Sequence, residues 1–134
     1  MVERKTCRIA VCTSCKDKQT GQNPGYRMIH ALRDALNADT CIAAEFQVMG
    51  VACMAGCNHP CTVGFHGQGK ASYLFGDKQA PDDITDLARF AEQYAALHDG
   101  WCSSVDRPGK LRKTTLARIP ATLFAEAPSV EAAE

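Results

Sequence analysis

Apolar residues in this chain recur with two different periods, and each period predicts a different element. Ile9 and Val11 alternate with Arg8 and Ala10, which predicts a short strand over Arg8 to Cys12, with Cys7 extending it. Thr13 to Pro24 is polar and reads as a loop. Asn23-Pro24 then offers a capping side chain followed by proline at the first helical position. Met28, Ile29, Leu32, Ala35 and Leu36 follow at three- and four-residue steps, while Arg27, His30, Arg33 and Asp34 fall largely elsewhere. That stripe predicts an amphipathic helix ending near Asn37 to Asp39.

A second strand is predicted over Phe46 to Val51, and two more over Thr62 to Phe65 and Ser72 to Phe75. His66-Gly67-Gln68-Gly69-Lys70 between the last two is a hairpin signal, so those strands should be antiparallel neighbours. Pro81-Asp82-Asp83 opens a second helix with acids in its first turn, where the macrodipole favours them. Its apolar stripe is Ile84, Leu87, Ala88, Ala91, Tyr94 and Ala95, and Gly100 marks its end.

The first two strands are joined by a helix, which implies that they run parallel. The remainder is a hairpin closed by a helix. This order predicts an α/β domain with the core of the thioredoxin fold, a four-stranded mixed sheet with helices on its faces, over residues 1–100. Residues 101–134 read as an irregular, basic C-terminal extension. Arg107, Lys110, Arg112, Lys113 and Arg118 carry its charge, Trp101, Leu111, Leu116 and Ile119 pack it, and Ala121 to Glu134 forms a frayed end. The basic stretch is either a solvated tail or a docking surface for an acidic redox partner or anionic ligand.

Composition narrows the function. Fifteen lysines and arginines balance fifteen acids, so no global charge draws the chain to nucleic acid or to an anionic membrane. No apolar run approaches the length of a membrane span. Met1 to Cys7 leaves no room for the apolar core of a signal peptide, and the chain is expected to be cytoplasmic. In a reducing compartment, clustered thiols more often bind metal or do redox chemistry than form disulfides.

The eight cysteines are unevenly placed. Cys7, Cys41 and Cys102 stand alone and are expected to pack as small hydrophobes. Cys12 and Cys15 form one group, and Cys53, Cys57 and Cys61 form another, at the ends of predicted strands. Thiolates are soft ligands suited to zinc or iron–sulfur centres, and pairs two or three residues apart can wrap one metal. Parallel first and second strands would bring Cys12/Cys15 and Cys53/Cys57 to the same end of the sheet.

At this point the sequence resembles a known family. Gly50 to Asp77, from Gly-Val-Ala-Cys-Met-Ala-Gly-Cys through Tyr-Leu-Phe-Gly-Asp, is similar to the corresponding part of thioredoxin-like [2Fe-2S] ferredoxins. A closer resemblance, over most of the chain, is to a small family of predicted metal-binding proteins. Val11 to Cys15, Cys53 to Cys61, Tyr73 to Gly76 and Arg118 to Pro120 fit its pattern. The resemblance implies that Cys53, Cys57 and Cys12 ligate a [2Fe-2S] cluster. It does not supply the fourth ligand, because the ferredoxin position falls near Gly25; Cys15 and Cys61 are the two candidates. A homodimer and an association with cobalamin metabolism are further implications of the resemblance.

The leading expectation is therefore a non-enzymatic, electron-transfer ferredoxin using Cys12, Cys15, Cys53, Cys57 and Cys61, with a protein redox partner. A zinc-binding or metal-handling protein would use the same thiols. A thiol–disulfide oxidoreductase using Cys12 and Cys15, with Pro60 in the cis-proline position, is disfavoured by the long loop between Cys15 and the helix start, which removes the helix dipole from the thiols. His59 is a weak alternative ligand beside the loop cysteines. His30, His66 and His98 have no partner pattern.

Overall fold

The structure is a computed structural model and describes residues 6–14, 21, 23–54, 59 and 61–121. It contains strands β1 (Cys7–Cys12), β2 (Phe46–Val51), β3 (Val63–Gly67), β4 (Ser72–Phe75) and β5 (Thr115–Ile119). The helices are α1 (Gly25–Asn37), α2 (Thr40–Glu45), α3 (Ile84–Ala96) and α4 (Leu111–Thr114), with a 3₁₀ turn at Ser104–Asp106.

The sheet order is β2-β1-β3-β4-β5. β1 and β2 are parallel, with Ile9 opposite Val48 and Cys12 opposite Val51. The other three pairings are antiparallel, including the expected β3–β4 hairpin. The sheet therefore has five strands rather than four, and the extension beyond residue 100 is not irregular. It supplies the fifth strand, which pairs Arg118 with Tyr73 and Leu74 with Ala117. Thr115–Ile119 lacks the apolar alternation of a half-buried strand; its strand character comes from pairing with the β4 edge, a context that local propensity does not carry.

Other local expectations change, and β3 runs on to Gly67 rather than ending at Phe65. Asn23 does not cap α1: its Nδ2 donates to Thr13 O at 3.1 Å, and Pro24 occupies the cap position with no side-chain hydrogen bond. The turn of α2, capped by the Asp39 carboxylate on the Cys41 and Ile42 amides, was not expected from its short sequence. α3 begins at Ile84, because Pro81 to Asp83 form the preceding turn.

Alternation along the strands sorts the sheet's two faces. Cys7, Ile9 and Val11, Phe46 and Val48, Val63 and Phe65, and Tyr73 and Phe75 are buried. They form one core with Met28, Leu32 and Leu36 of α1 and Leu87, Phe90, Ala91 and Tyr94 of α3. The two long helices contact each other, so both cover that face. On the opposite face Arg8, Gln47 and His66 are exposed, while Ala10, Met49, Gly64 and Leu74 are half-buried.

Phe90 is the hub of the covered face. Its ring meets those of Phe65, Tyr73 and Phe75 edge-on at 4.8, 5.1 and 5.2 Å. Edge-to-face contacts of this kind suit the aromatic quadrupole and add to the burial term. The hydroxyls of the two core tyrosines are both satisfied, Tyr94 donating to Ala71 O and Tyr73 to Gly100 O, each at 2.6 Å.

Candidate metal centre

The ladder registers decide where the cysteines go. Cys12 is the last residue of β1, and Cys53 lies two residues beyond the end of the parallel strand β2. Cys61 lies two residues before β3, whose first residue, Val63, is opposite Val11. All three thus leave the sheet at the same end. Cys12 N donates to Thr62 O at 3.1 Å, and Thr13 N to Val51 O at 2.8 Å, which ties the three chain segments together there.

The thiols lie close to backbone carbonyls. Cys12 Sγ is 3.8 Å from Ala52 O and 3.6 Å from Ser14 Oγ, and Cys61 Sγ is 3.8 Å from Cys12 O. Cys12 and Cys61 are buried, whereas Cys53 is exposed. One flank of this corner is therefore packed in protein and the other faces water.

The start of α1 rests on Cys12. A Cβ at Gly25 would overlap the Cys12 carbonyl oxygen and come within 3.0 Å of Thr13 Cα, so only glycine permits this approach. The helix start therefore lies against the Cys12 backbone despite the long loop, while Cys15 lies outside the described residues. Sequence separation did not translate into distance, since Gly25 lies against the Cys12 and Thr13 backbone. The positive end of α1 favours negative charge on groups beside it.

The third side of the corner is closed by the segment after β4. Asp77 N donates to His59 O at 2.9 Å and Lys78 N to Cys61 O at 3.1 Å. His59 Nδ1 is 2.9 Å from Asp77 Oδ2, with both side chains about half exposed. That nitrogen is hydrogen-bonded to Asp77.

Cys15, Cys57 and Pro60 lie outside the described residues. Among the described residues no three His, Cys, Asp or Glu side chains come close enough to hold a metal ion. What Cys12, Cys53 and Cys61 provide is one half-buried corner carrying soft donors. Its donor chemistry fits zinc or an iron–sulfur cluster, with further ligands needed from outside the described set.

The isolated cysteines divide. Cys7 and Cys102 are buried, as expected for packing residues, and burial pushes the Cys7 thiol pKa up. Cys41 is exposed on α2 instead of packed, because α2 contributes no buried residue.

Sequence reasoning also missed three buried charged side chains, Lys78, Asp83 and Arg107. Lys78 is 1% exposed, and its Nζ lies 3.9 Å from Asp83 Oδ1, which Lys110 Nζ approaches to 3.7 Å. Burial, the largest influence, lowers the Lys78 pKa, partly opposed by the Asp83 carboxylate. Arg107 is buried beside Tyr73. Nothing in the polar run Gly76 to Gln79 or in the basic extension marks these residues as internal. No helix among the described residues is long and apolar enough to cross a membrane.

Residues 9–121 match the family described as "Protein of unknown function (DUF1636)". The chain belongs to that family. No curated protein matches the sequence. Among solved structures, the fold is similar to that of a thioredoxin-like [2Fe-2S] ferredoxin from Aquifex aeolicus, with a TM-score of 0.55 and 12% identity over 90% of this chain and 100% of that one. At that identity the likeness is one of fold, a mixed α/β arrangement of sheet and helices.

Proposed function

We propose that this DUF1636 protein is an electron carrier holding a [2Fe-2S] cluster at the cysteine corner. The observation that carries the reading is the convergence of Cys12, Cys53 and Cys61 at one end of the sheet, fixed by the β1–β2 and β1–β3 registers. Cys15 and Cys57 are the remaining candidate ligands. The fold's likeness to a ferredoxin agrees with this use of the corner. When bound, such a cluster accepts and returns one electron at a potential set by its ligands, hydrogen bonds and burial.

The chain's own contribution would be positional. β1 and β2 fix the spacing of Cys12 and Cys53, and Gly25 lets α1 bring its positive end against the Cys12 strand terminus. The buried flank at Cys12 and Cys61 excludes water, and the exposed flank at Cys53 leaves an approach for a redox partner protein.

The test is to purify the protein without oxygen and measure iron, acid-labile sulfide and zinc beside a visible spectrum. A red-brown protein with about two iron and two sulfide per chain is expected. Cys12→Ser should lose both, and Cys15→Ser and Cys61→Ser decide the fourth ligand. A colourless, iron-free protein with stoichiometric zinc would overturn the electron-carrier reading in favour of a zinc or metal-handling role.

A further inference from the structure

Away from the thiols, two guanidinium groups meet without a carboxylate between them. Tyr73 organises that corner. Its hydroxyl donates to Gly100 O at 2.6 Å and accepts from Cys102 N at 3.0 Å, which pins residues 100–102 against β4. The Cys102 carbonyl oxygen then accepts from two arginines, Arg107 Nη1 at 3.2 Å and Arg118 Nη1 at 2.7 Å. Register brings Arg118 there, since it lies opposite Tyr73 on the β4–β5 ladder. Its guanidinium stacks on Trp101 at 3.7 Å, and that of Arg107 lies 5.6 Å from the Tyr73 ring centre.

One neutral carbonyl therefore serves two cations. Arg107 is 6% exposed, and its Nε is buried with no hydrogen-bond partner. Among the described residues, every ion pair involves other groups, so neither arginine is neutralised. Asp106, the sole acid between Trp101 and Pro120, accepts instead from Ser103 Oγ at 3.1 Å. A buried charged donor without a partner is costly, and like charges drawn to one oxygen repel. Both costs fall if an anion enters. The Nε edge of a guanidinium, buried and unpartnered here on Arg107, is the edge that matches the paired oxygens of a phosphate or carboxylate.

We propose that this corner binds a small oxyanion, gripped by Arg107 and Arg118 and flanked by Trp101. The ligand class is a phosphate or carboxylate group. The inference neither uses the cysteine corner nor depends on the electron-carrier reading.

Trp101 is the single tryptophan of the chain, so its emission reports directly on the Arg118 stack. The full-length protein is titrated with inorganic phosphate at constant ionic strength made up with chloride, following Trp101 emission and melting temperature. A saturable emission change with a rise in melting temperature is expected. Arg118→Gln should weaken it by about tenfold or more, and Arg107→Lys should do the same by removing the fork while keeping the charge. Because Arg107 is buried, the half-exposed Arg118 provides the variant that keeps the fold, checked by its melting temperature in chloride. Acetate in place of phosphate distinguishes the two sources: saturation by acetate alone, lost in the same variants, assigns the site to carboxylates. No saturable response to either anion, or a response unchanged in both variants, overturns the proposal.

Discussion

The aromatic core and the cysteine corner are joined by the same strands but held by different forces. Under α3, Phe65, Tyr73, Phe75, Phe90 and Tyr94 interlock ring against ring, and their stability comes from area removed from water. At the other place, backbone hydrogen bonds from Cys12, Thr13, Asp77 and Lys78 and the bare backbone of Gly25 hold the thiols in position. The first region tolerates no loss of volume. The second tolerates no gain of it. Placement of donors, rather than burial, is what the cysteine corner is built to preserve.

The sharpest way to break this contrast is Phe90→Ala. Phe90 is fully buried against the rings of Phe65, Tyr73, Phe75 and Tyr94, so the substitution should cost about 3–5 kcal/mol in denaturant unfolding. A loss below 1 kcal/mol would show that the ring cluster is not the mechanical centre of the fold.

Alkaline pH should attack the same core without mutation. Burial pushes Tyr73 from 10.0 up to about 12, raises Tyr94 and raises the Cys7 thiol. A group whose folded pKa is raised adds stability that is complete below its unfolded value and is lost as pH climbs toward the folded one. Stability should therefore fall from pH 9 to 10 upward, by about 2 kcal/mol by pH 12 for Tyr73 alone. Lys78, with its pKa lowered, works in the opposite sense: its burial penalty shrinks as pH rises through its folded value. Thermal melts of Tyr73→Phe across pH 8–12 should show a flatter decline than the parent chain; equal slopes would contradict the assignment.

At the cysteine corner, Gly25→Ala adds one methyl where the Cys12 carbonyl already sits. We expect a loss of about 1–3 kcal/mol, the usual cost of overpacking, and a lower iron content per chain than that of an equally destabilised core variant. Equal iron in the two would mean that the α1 approach does not matter to the thiols. The smallest effect should come from His59→Ala. An ion pair between groups that are both about half exposed is worth under about 1 kcal/mol, and unfolding midpoints should scarcely move.

What could be read in advance follows the same division. Strands with alternating apolar residues, Ile9 with Val11 and Tyr73 with Phe75, were legible because one face is buried throughout. The stripes of α1 and α3 were legible for the same reason. β5 was not, since Thr115–Ile119 is shaped by the edge it joins. The common end for Cys12 and Cys53 followed from expecting parallel first strands, and the structure places both there; Cys61 joins them because β3 runs antiparallel to β1. The contact of Gly25 with Cys12 and the buried Lys78 and Arg107 depend on how loops return to the sheet, for which local spacing carries no signal.

The strand order has a consequence for the history of each molecule. β1 is made first yet lies inside the sheet, between β2 and β3. During synthesis it has no lateral partner until Phe46–Val51 has emerged, and its second edge stays open until Val63–Gly67 follows. Cys12, Cys53 and Cys61 can therefore reach their common end of the sheet while Thr115–Ile119 is still to be made, whereas Arg118 reaches Cys102 only with the last strand. The two corners come of age at different moments on the ribosome, thiols early and arginines late.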